Sequence, residues 1–373
     1  MKILLTGGHL TPALGLIDYI KTYHSEDEII FAGREYSQEK NKQPSKERTE
    51  IEKRGIHFIA FKTGKIVDSN PIAWIAASIQ TVLAFFHALV ILHTNRPDAI
   101  ISFGSYVAVP IATAGWILGI PVITHEQTRT IGVANSWISS FAKVLAVSYK
   151  PQGTGQTKTN SVFTGNIIRD QLIQKKPATP EWITKKFEKP ILYVTGGSQG
   201  SEIINTVIGQ SLPNLLKNWT IIHQCGSDSA ARSYKKELGQ IREQLKPSQQ
   251  DSYYIREWIS IDELAWIYRT ATAIISRAGA NTTQEIALFA IPAILIPLPF
   301  SNNHEQQLNA EWLADTGGAL IINQKDLTTE SIIDTLERIR TKPASFSRKL
   351  AELEIPTDAA SRVYALAQKY KRQ

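Results

Sequence analysis

The sequence predicts an α/β protein with two Rossmann-like domains, and three observations support this fold class. Short β-rich apolar runs alternate with helical stretches along the chain, as in parallel α/β sheets. Two strand–glycine turn–helix segments, residues 3–8 and 192–197, echo each other in the two halves. The length of 373 residues exceeds one ordinary core. We therefore expect two domains facing each other across a cleft, with carboxyl ends of strands lining it.

Six strands are predicted in each half. They are residues 2–5, 28–32, 57–61, 99–102, 121–124 and 144–147, then residues 191–194, 220–224, 252–256, 273–276, 293–296 and 319–322. A last short strand at 162–163 ends the first half, and the linker lies in the Pro-, Gly-, Thr- and Lys-rich stretch 151–190. We expect an N-terminal domain of residues 1–164 and a C-terminal domain of residues 165–373. The final helix, about 357–373, is expected to pack back on the N-terminal domain.

Composition limits the class of protein. Hydrophobic residues make up 43% and charged residues 20% of the chain, as in folded globular proteins. The net charge of +7 favours anionic partners. Because no basic stripe is interleaved with aromatic residues, we expect phosphorylated ligands or an acidic membrane surface and no nucleic acid. The single cysteine, Cys225, fits a reducing compartment. The apolar start is too short for a signal peptide, so a cytoplasmic location is expected.

One uncharged segment lies between Asp68 and Arg96. It is long enough to cross a membrane, which takes about 20 apolar residues. Polar residues interrupt it, among them Gln80 and His87. We predict a core helix with one face left apolar for a membrane surface, and a true membrane span is the alternative.

The turn 195–201 follows a predicted strand and opens a helix. Its glycines would let the backbone approach a phosphate at the helix N-terminus, and Ser198 could add a hydroxyl donor. A purely structural turn is one alternative. Another is the nucleophile elbow Gly196-x-Ser198-x-Gly200 of a hydrolase, with Asp262 or Asp315 and His304 as partners. The matching turn at Thr6 argues against an elbow, since a hydrolase needs only one.

A second strand–helix turn spans residues 276–285. Gly279 and Ala280 permit close approach, and the Glu285 carboxylate could accept two hydrogen bonds from a ribose diol. Alternatively, Glu285 only favours the helix dipole. The polar run 300–309 offers neutral donors and acceptors suited to sugar hydroxyls.

His9 and His125 each follow a predicted strand of the first half, where a general base would be useful. For His125 a structural role is equally consistent with the sequence. The chain has no D-x-D pair and no spaced Cys/His ligands, so we expect neither a metal nor another cofactor.

Several motifs, taken in order, resemble one family. They are Thr6-Gly7-Gly8-His9, Gly104-Ser105-Tyr106, His125-Glu126-Gln127, Gly165-Asn166 with Arg169, Gly196-Gly197-Ser198-Gln199-Gly200, Ser276-Arg277-Ala278-Gly279-Ala280, and His304 to Ala310. Together they resemble the MurG glycosyltransferases, which make lipid II from lipid I on a two-Rossmann GT-B fold. The resemblance runs nearly end to end.

The resemblance implies roles for particular residues. UDP-N-acetylglucosamine would be bound by Thr6, Gly7, Gly8, Thr128, Arg169, Ser198, Ile259, Ala280, Asn281, Thr282, Thr283, Gln284, Glu285, Glu305, Gln306, Gln307 and Asn309. Ile259 would meet uracil through its backbone, Glu285 the ribose, and Arg169 the phosphates. The acceptor would bind at Gly104, Ser105 and Tyr106, with His9 as the base and Glu126 as the alternative base.

Four positions depart from the family pattern, and two of them are Leu4 and Leu5, where the family's first turn usually has glycines. Thr128 replaces an asparagine, Asn281 stands where the family is often apolar, and the register leaves open which of residues 305–307 contacts the sugar.

The family implies inverting transfer to undecaprenyl-linked lipid I at the cytoplasmic face of an anionic membrane, with the enzyme peripherally bound. Other cell-wall synthesis proteins are further expected partners. Two rivals remain: a UDP-N-acetylglucosamine 2-epimerase on the same fold, and a non-catalytic UDP-sugar-binding scaffold.

Overall fold

The computed structural model divides the chain into two compact units. Unit 1 comprises Met1–Asp170 and Pro356–Gln373, and unit 2 comprises Gln171–Ile355. The structure describes residues 1–36, 43–64, 71–150, 160–174, 176–197, 199–227 and 232–372, without the side chains of 71–76, 174 and 302.

Strands and helices alternate in both units. The strands are β1 (Lys2–Thr6), β2 (Glu28–Gly33), β3 (His57–Ala60), β4 (Ala99–Ser102), β5 (Val122–Glu126), β6 (Val144–Val147), β7 (Ser161–Phe163), β8 (Ile191–Thr195), β9 (Thr220–Gln224), β10 (Tyr253–Arg256), β11 (Ala273–Ser276), β12 (Ala293–Leu295) and β13 (Ala319–Ile321). The helices are α1 (Leu10–Tyr23), α2 (Lys46–Lys53), α3 (Pro71–Asn95), α4 (Ser105–Ile117), α5 (Val133–Ile138), α6 (Asp170–Gln174), α7 (Glu202–Leu215), α8 (Tyr234–Glu243), α9 (Pro247–Gln250), α10 (Ile261–Thr270), α11 (Ala280–Leu288), α12 (Glu305–Asp315), α13 (Thr329–Thr341), α14 (Pro343–Ala351) and α15 (Ala359–Tyr370). All the predicted strands are confirmed, with ends that differ by at most two residues.

The sheet of unit 1 is parallel, in the order β3-β2-β1-β4-β5-β6-β7 over the described residues. Alternate residues of β1 enter different cores: Ile3 and Leu5 pack with α1 and α15, whereas Leu4 packs with α3 and α4. Because successive strand side chains point to opposite faces, helices cover this sheet on both sides. The run of apolar residues in β1 is the sequence signal of that double burial.

The described strands of unit 2 form a second parallel sheet, in the order β10-β9-β8-β11-β12-β13. In each sheet the strand order reverses at the first strand of the unit: β1 lies between β2 and β4, and β8 lies between β9 and β11. Ligands of open α/β sheets bind outside the carboxyl ends of the strands at such a point. The turns after β1, β8 and β11 are therefore where a site is expected.

Helix α3 has two different faces. Ala84, Ala88 and Leu92 are buried in unit 1, while Leu83 and Phe86 are 63% and 59% exposed. By length and composition Ala77–Asn95 could cross a membrane, and 28% of its most apolar window is buried. The helix thus packs one face in unit 1 and leaves an apolar face uncovered.

Helix α15 completes the core of unit 1. Val363 and Ala367 are fully buried among the side chains of α1 and the sheet. The Tyr364 hydroxyl donates to Asp27 Oδ2 at 2.6 Å, and its ring stacks on His24 with centroids 4.0 Å apart. The end of the described chain is thereby fixed to the beginning.

Candidate functional site

A cavity of about 730 Å³ lies in unit 2 at the carboxyl ends of β8 and β11. Its lining combines the two glycine-containing turns with polar side chains: Thr195, Gly196, Gly197, Gln199, Gly200, Ser201, Glu202, Ile203, Ser276, Arg277, Gly279, Thr282, Leu298, Gln306 and Gln324. Both turns that the sequence singled out in this half therefore meet at one cavity, at the reversal point of the sheet.

The first turn leads into α7. Gly200 has φ of 74°, and a Cβ on it would lie 2.0 Å from the Cys225 carbonyl oxygen, so only glycine fits there. Ser201 is the N-cap of α7 but forms no side-chain capping bond, and its Oγ instead accepts a hydrogen bond from Arg277. The first amides of α7 are thus left without a side-chain cap, as an anion-binding helix end requires. Ser198 lies outside the described residues.

The second turn leads into α11, which begins at Ala280. Thr282 lines the cavity with Gly279, whereas Thr283 and Gln284 are buried. The Glu285 carboxylate is 5% exposed, and Oε2 accepts a 2.8 Å hydrogen bond from the Tyr268 hydroxyl of α10. Asn281 is partly exposed at the start of the helix. The carboxylate is therefore held in place from a neighbouring helix.

The polar residues at the start of α12 differ in their contacts and exposure. Gln306 lines the cavity, and its Oε1 accepts the Leu298 amide at 3.0 Å. Gln307 donates to Glu311 along the helix, and Glu305 is partly exposed outside the cavity lining. Asn309 is fully buried and donates to the Ala278 carbonyl, which braces the second turn. Of the three candidates left open by the sequence, the geometry favours Gln306.

Ile259 is 5% exposed and directly precedes the N-cap of α10. Ser260 and Glu263 form a reciprocal capping box that fixes this turn. The capping box thus fixes the start of α10 directly after Ile259.

Arg277 and Gln324 are cavity residues that the sequence analysis did not assign. Arg277 belonged to a quoted motif without a role, and Gln324 carried no signal because it follows β13, far along the chain from either turn. Their Nη2 and Oε1 atoms are 2.8 Å apart. Tyr268 was also missed, because it meets Glu285 from a different helix, 17 residues away along the chain.

In unit 1 the amides of the first glycine turn are all occupied. The Gly7 amide donates to the Ala32 carbonyl at 2.7 Å, the Gly8 amide to Glu47 Oε1 at 3.0 Å, and the His9 amide to the Phe103 carbonyl at 3.4 Å. Glu47 of α2, which the sequence did not single out, is 4% exposed and lies against this turn. In unit 2 the Gly197 and Gly200 amides are likewise engaged, with Thr195 Oγ1 and the Gly197 carbonyl. Thr6, which is buried beneath the turn of unit 1, has no hydrogen-bond partner for Oγ1 among the described residues.

His9 precedes α1, yet its side chain forms no capping hydrogen bond. Burial lowers the pKa of His9 below 6.5, while the negative charge of Glu126 partly raises it again. The imidazole is therefore neutral near pH 7, the form in which it can accept a proton.

Glu126 ends β5 and is 2% exposed. Its carboxylate accepts the Thr128 amide and hydroxyl at 3.0 and 2.7 Å, the Gly132 amide at 2.9 Å and the Asn135 Nδ2 at 2.9 Å. Because both carboxylate oxygens already accept hydrogen bonds, Glu126 is better suited to fixing this loop and placing a negative charge near His9 than to taking a proton. The Thr128 side chain is engaged in the same contact.

His125 is 1% exposed and lies against the Phe103 ring, with Nε2 3.3 Å from the Gly165 carbonyl oxygen. Burial lowers its pKa to about 4. Its surroundings favour the structural role for this histidine.

The turn Gly104–Tyr106 opens α4 next to the first glycine turn. A Cβ on Gly8 would lie 2.6 Å from the Gly104 carbonyl oxygen, so the two turns touch. Ser105 has φ of 69°, a region that costs a non-glycine residue roughly 1–3 kcal/mol and that is common at functional sites. Asn135, another residue missed from sequence, packs under Gly104 and binds Glu126. The structure thus brings the acceptor candidates and His9 together.

Arg169 also belongs to unit 1, where its Cγ is 3.8 Å from a Cβ placed on Gly15. In the described part of the chain, no group of three or more His, Cys, Asp or Glu side chains is arranged to hold a metal ion.

Two doubly wound parallel units, one with a glycine-turn cavity at its reversal point, have the architecture of GT-B glycosyltransferases. Residues 6–147 match the glycosyltransferase family 28 N-terminal domain, and residues 191–368 match the glycosyltransferase family 28 C-terminal domain. Because two named relatives are also 30% and 32% identical over nearly the whole chain, the chain belongs to the MurG family.

Individual relatives agree with this assignment over nearly their whole length. A protein of Clostridium kluyveri named UDP-N-acetylglucosamine--N-acetylmuramyl-(pentapeptide) pyrophosphoryl-undecaprenol N-acetylglucosamine transferase is 30% identical, with 99% of each chain covered. The protein of the same name from Proteus mirabilis is 32% identical, covering 96% of this chain and 93% of its own. The crystal structure of Acinetobacter baumannii MurG shares the fold, with a TM-score of 0.74 and 24% identity over 99% of both chains.

Proposed function

We propose that this enzyme transfers N-acetylglucosamine from UDP-N-acetylglucosamine to the 4-hydroxyl of the N-acetylmuramoyl sugar of lipid I, forming lipid II in peptidoglycan synthesis. Full-length similarity to relatives named for this reaction supports the substrates. The observation that carries the donor half is the unit 2 cavity, where two glycine-containing turns, two helix N-termini and one guanidinium converge.

In the proposed reaction the acceptor oxygen attacks the anomeric carbon as the bond from that carbon to the UDP oxygen breaks, with inversion. The departing UDP gains negative charge, which the N-termini of α7 and α11 and the Arg277 guanidinium would stabilise. Arg169 is assigned to the phosphates by the family resemblance. Glu285 would hold the ribose, Ile259 the uracil and Gln306 the sugar.

His9 is the proposed base, taking the proton of the attacking hydroxyl. Its neutral imidazole, its unused side chain and its neighbourhood with Gly104 and Ser105 support this role. Glu126 is proposed as the group that tunes His9, since its oxygens already accept four hydrogen bonds.

The decisive experiment measures UDP release from UDP-N-acetylglucosamine with and without a lipid I analogue. We expect release only with the analogue, together with a disaccharide product. Formation of the 2-epimer without acceptor would establish the epimerase instead. Binding of the donor without turnover in either condition would establish a non-catalytic scaffold.

We further propose that the enzyme acts at the cytoplasmic face of the membrane and binds it peripherally. The uncovered face of α3 includes Val82, Leu83 and Phe86. Helix α3 packs against α4, and the end of α4 adds the exposed apolar side chain of Trp116. The net charge of +7 favours an anionic lipid surface. Other cell-wall synthesis proteins are proposed partners on the family resemblance alone.

A further inference from the structure

Arg277 is the residue that follows β11, and its guanidinium lines the unit 2 cavity. Nη2 donates to Ser201 Oγ at 2.8 Å and to Gln324 Oε1 at 2.8 Å, and Nη1 donates to the Ile296 carbonyl at 3.1 Å. A longer contact of 3.4 Å reaches the Pro297 carbonyl. Every one of these acceptors is uncharged.

The charge of this guanidinium is therefore not cancelled locally. Within the described residues Arg277 forms no ion pair, and burial lowers its pKa. Glu202, the one carboxylate among the cavity-lining residues, pairs instead with Arg232. A half-buried arginine held by neutral dipoles retains its attraction for an anion, whereas one paired with a carboxylate loses much of it. Arg277 thus resembles a cation held ready for an anionic group in the cavity.

Gln324 completes this arrangement from a distant part of the chain. It begins the single 3₁₀ turn Gln324–Asp326 after β13 and lines the same cavity as Arg277. Its amide oxygen shares Nη2 with Ser201, so the guanidinium plane is fixed from two sides. A glutamate has nearly the same shape and could make the same contact, but it would add a negative charge next to the guanidinium.

We propose that Gln324 is a positioning residue that aims the Arg277 guanidinium at the diphosphate of the donor and, by being uncharged, leaves the full positive charge to it. The inference rests on the proposed function, because the anion it assigns is the diphosphate of the UDP-sugar. It follows that position 324 requires glutamine and not glutamate.

The test compares Gln324→Glu, Gln324→Ala and the parent in calorimetric titrations with UDP and with uridine. Lys325→Gln is the matched control, because it changes the charge by the same amount at the adjacent exposed position. We expect Gln324→Glu to weaken UDP binding by about tenfold or more, and Gln324→Ala by less. Uridine affinity should stay within twofold of the parent in all variants, and the control should bind both ligands like the parent. In steady-state assays the KM for UDP-N-acetylglucosamine should rise in the same order.

The order of the two variants separates positioning of charge from a merely structural role. If Gln324 only braces the loop, glutamate keeps its hydrogen bond and should bind UDP at least as well as alanine does. That order, or equal UDP binding by Gln324→Glu and the parent, overturns the proposal. Parallel losses for UDP and uridine overturn it too, since the effect would then not be specific to phosphate. A parent enzyme that binds no UDP would instead refute the proposed function.

A variant that fails to fold does not remove the test. Gln324→Met fills the same space without an acceptor for Arg277, and thermal unfolding identifies the folded variants. For Gln324→Met we expect weaker UDP binding with unchanged uridine binding, and unchanged binding of both would overturn the proposal.

Discussion

The Glu285 carboxylate is buried on α11 and held by the Tyr268 hydroxyl, which makes this pair the clearest test of donor recognition at the residue scale. Hydrogen bonds to charged groups contribute about 1.5–3 kcal/mol, so Glu285→Ala should weaken UDP binding about ten- to a hundredfold. Tyr268→Phe should weaken it less, by about two- to tenfold, because the carboxylate stays but is no longer fixed. Calorimetry against UDP measures both. Glu330→Ala, which removes an exposed carboxylate from α13, is the control. Parent-like affinity of folded Glu285→Ala would remove Glu285 from the site.

His9 offers a test of the base. Loss of a general base typically costs about 10²–10⁴ in rate, so His9→Ala should reduce turnover by that range. Binding of UDP-N-acetylglucosamine should be nearly unchanged, since the candidate nucleotide residues lie mainly in unit 2. A folded variant with turnover within about threefold of the parent would exclude His9 as the base.

The pH dependence of the same group follows from its surroundings. A base must be neutral, so kcat/KM should fall as pH drops through the His9 pKa, which burial places below 6.5. Because Glu126 raises this pKa, Glu126→Gln should move the acid limb of the pH profile to still lower pH. An acid limb that stays in place would show that Glu126 does not tune His9. If Glu126 were itself the base, Glu126→Gln should lose about 10²–10⁴ in rate at every pH.

At the scale of elements, the uncovered face of α3 predicts membrane binding. Burying one large apolar side chain contributes about 1.5–3 kcal/mol, so the double change Leu83→Gln and Phe86→Gln should weaken binding to anionic vesicles at least about tenfold. Cosedimentation measures this, and UDP affinity should not change. Tyr23→Ser is the control, because Tyr23 is an exposed aromatic residue on α1, which packs on the other face of the sheet. Equal sedimentation of the double variant and the parent would contradict the assignment.

The sequence predicted the strands and local turns better than it predicted the contacts between distant residues. Apolar runs such as residues 99–102 identify strands, because a parallel strand is buried on both faces. The two glycine turns of unit 2 were also predicted, since local backbone demands appear in the local sequence. The partners of those turns could not be predicted: Gln324 meets Arg277 across 47 residues, and Glu47 reaches Gly8 across 39. Such contacts depend on tertiary packing, which one sequence does not reveal.

For the whole molecule, two buried histidines, one in each unit, make the stability sensitive to acid. Burial lowers the pKa of His125 to about 4 in unit 1 and that of His223 to about 3 in unit 2. An unfolded histidine has a pKa of about 6.5, so below that pH the unfolded state binds more protons. Stability is therefore full above pH about 6.5 and is lost progressively as pH falls toward the folded values.

This loss can be assigned to one histidine. Lowering the pH from 7 to 5 should cost about 2 kcal/mol of unfolding free energy for each such group. His223→Gln cannot take up the proton, so the difference between its urea unfolding at pH 7 and at pH 5 should be smaller than that of the parent by about this amount. Equal differences would show that His223 is not buried in its neutral form.

Helix α15 links the two ends of unit 1, and its removal should be severe. Truncation after Ile355 would expose the pocket that Val363, Tyr364 and Ala367 fill. A domain is stable by only about 5–15 kcal/mol, and each large buried side chain accounts for about 1.5–3 kcal/mol. We expect unit 1 to lose its cooperative thermal transition while the transition of unit 2 persists. Two intact transitions in the truncated chain would contradict this.

The same helix imposes an order on synthesis. Unit 2 is the continuous stretch Gln171–Ile355, so every residue of its core is synthesised before the last part of unit 1. Unit 1 has all its described strands much earlier, yet it must wait for Pro356–Gln373 before its sheet is covered on both faces. Because domains generally fold as units during synthesis, the second half of this chain should mature first and the first half last. Until then the apolar groove that α15 will occupy stands open, and a nascent chain stalled before residue 356 presents it to chaperones.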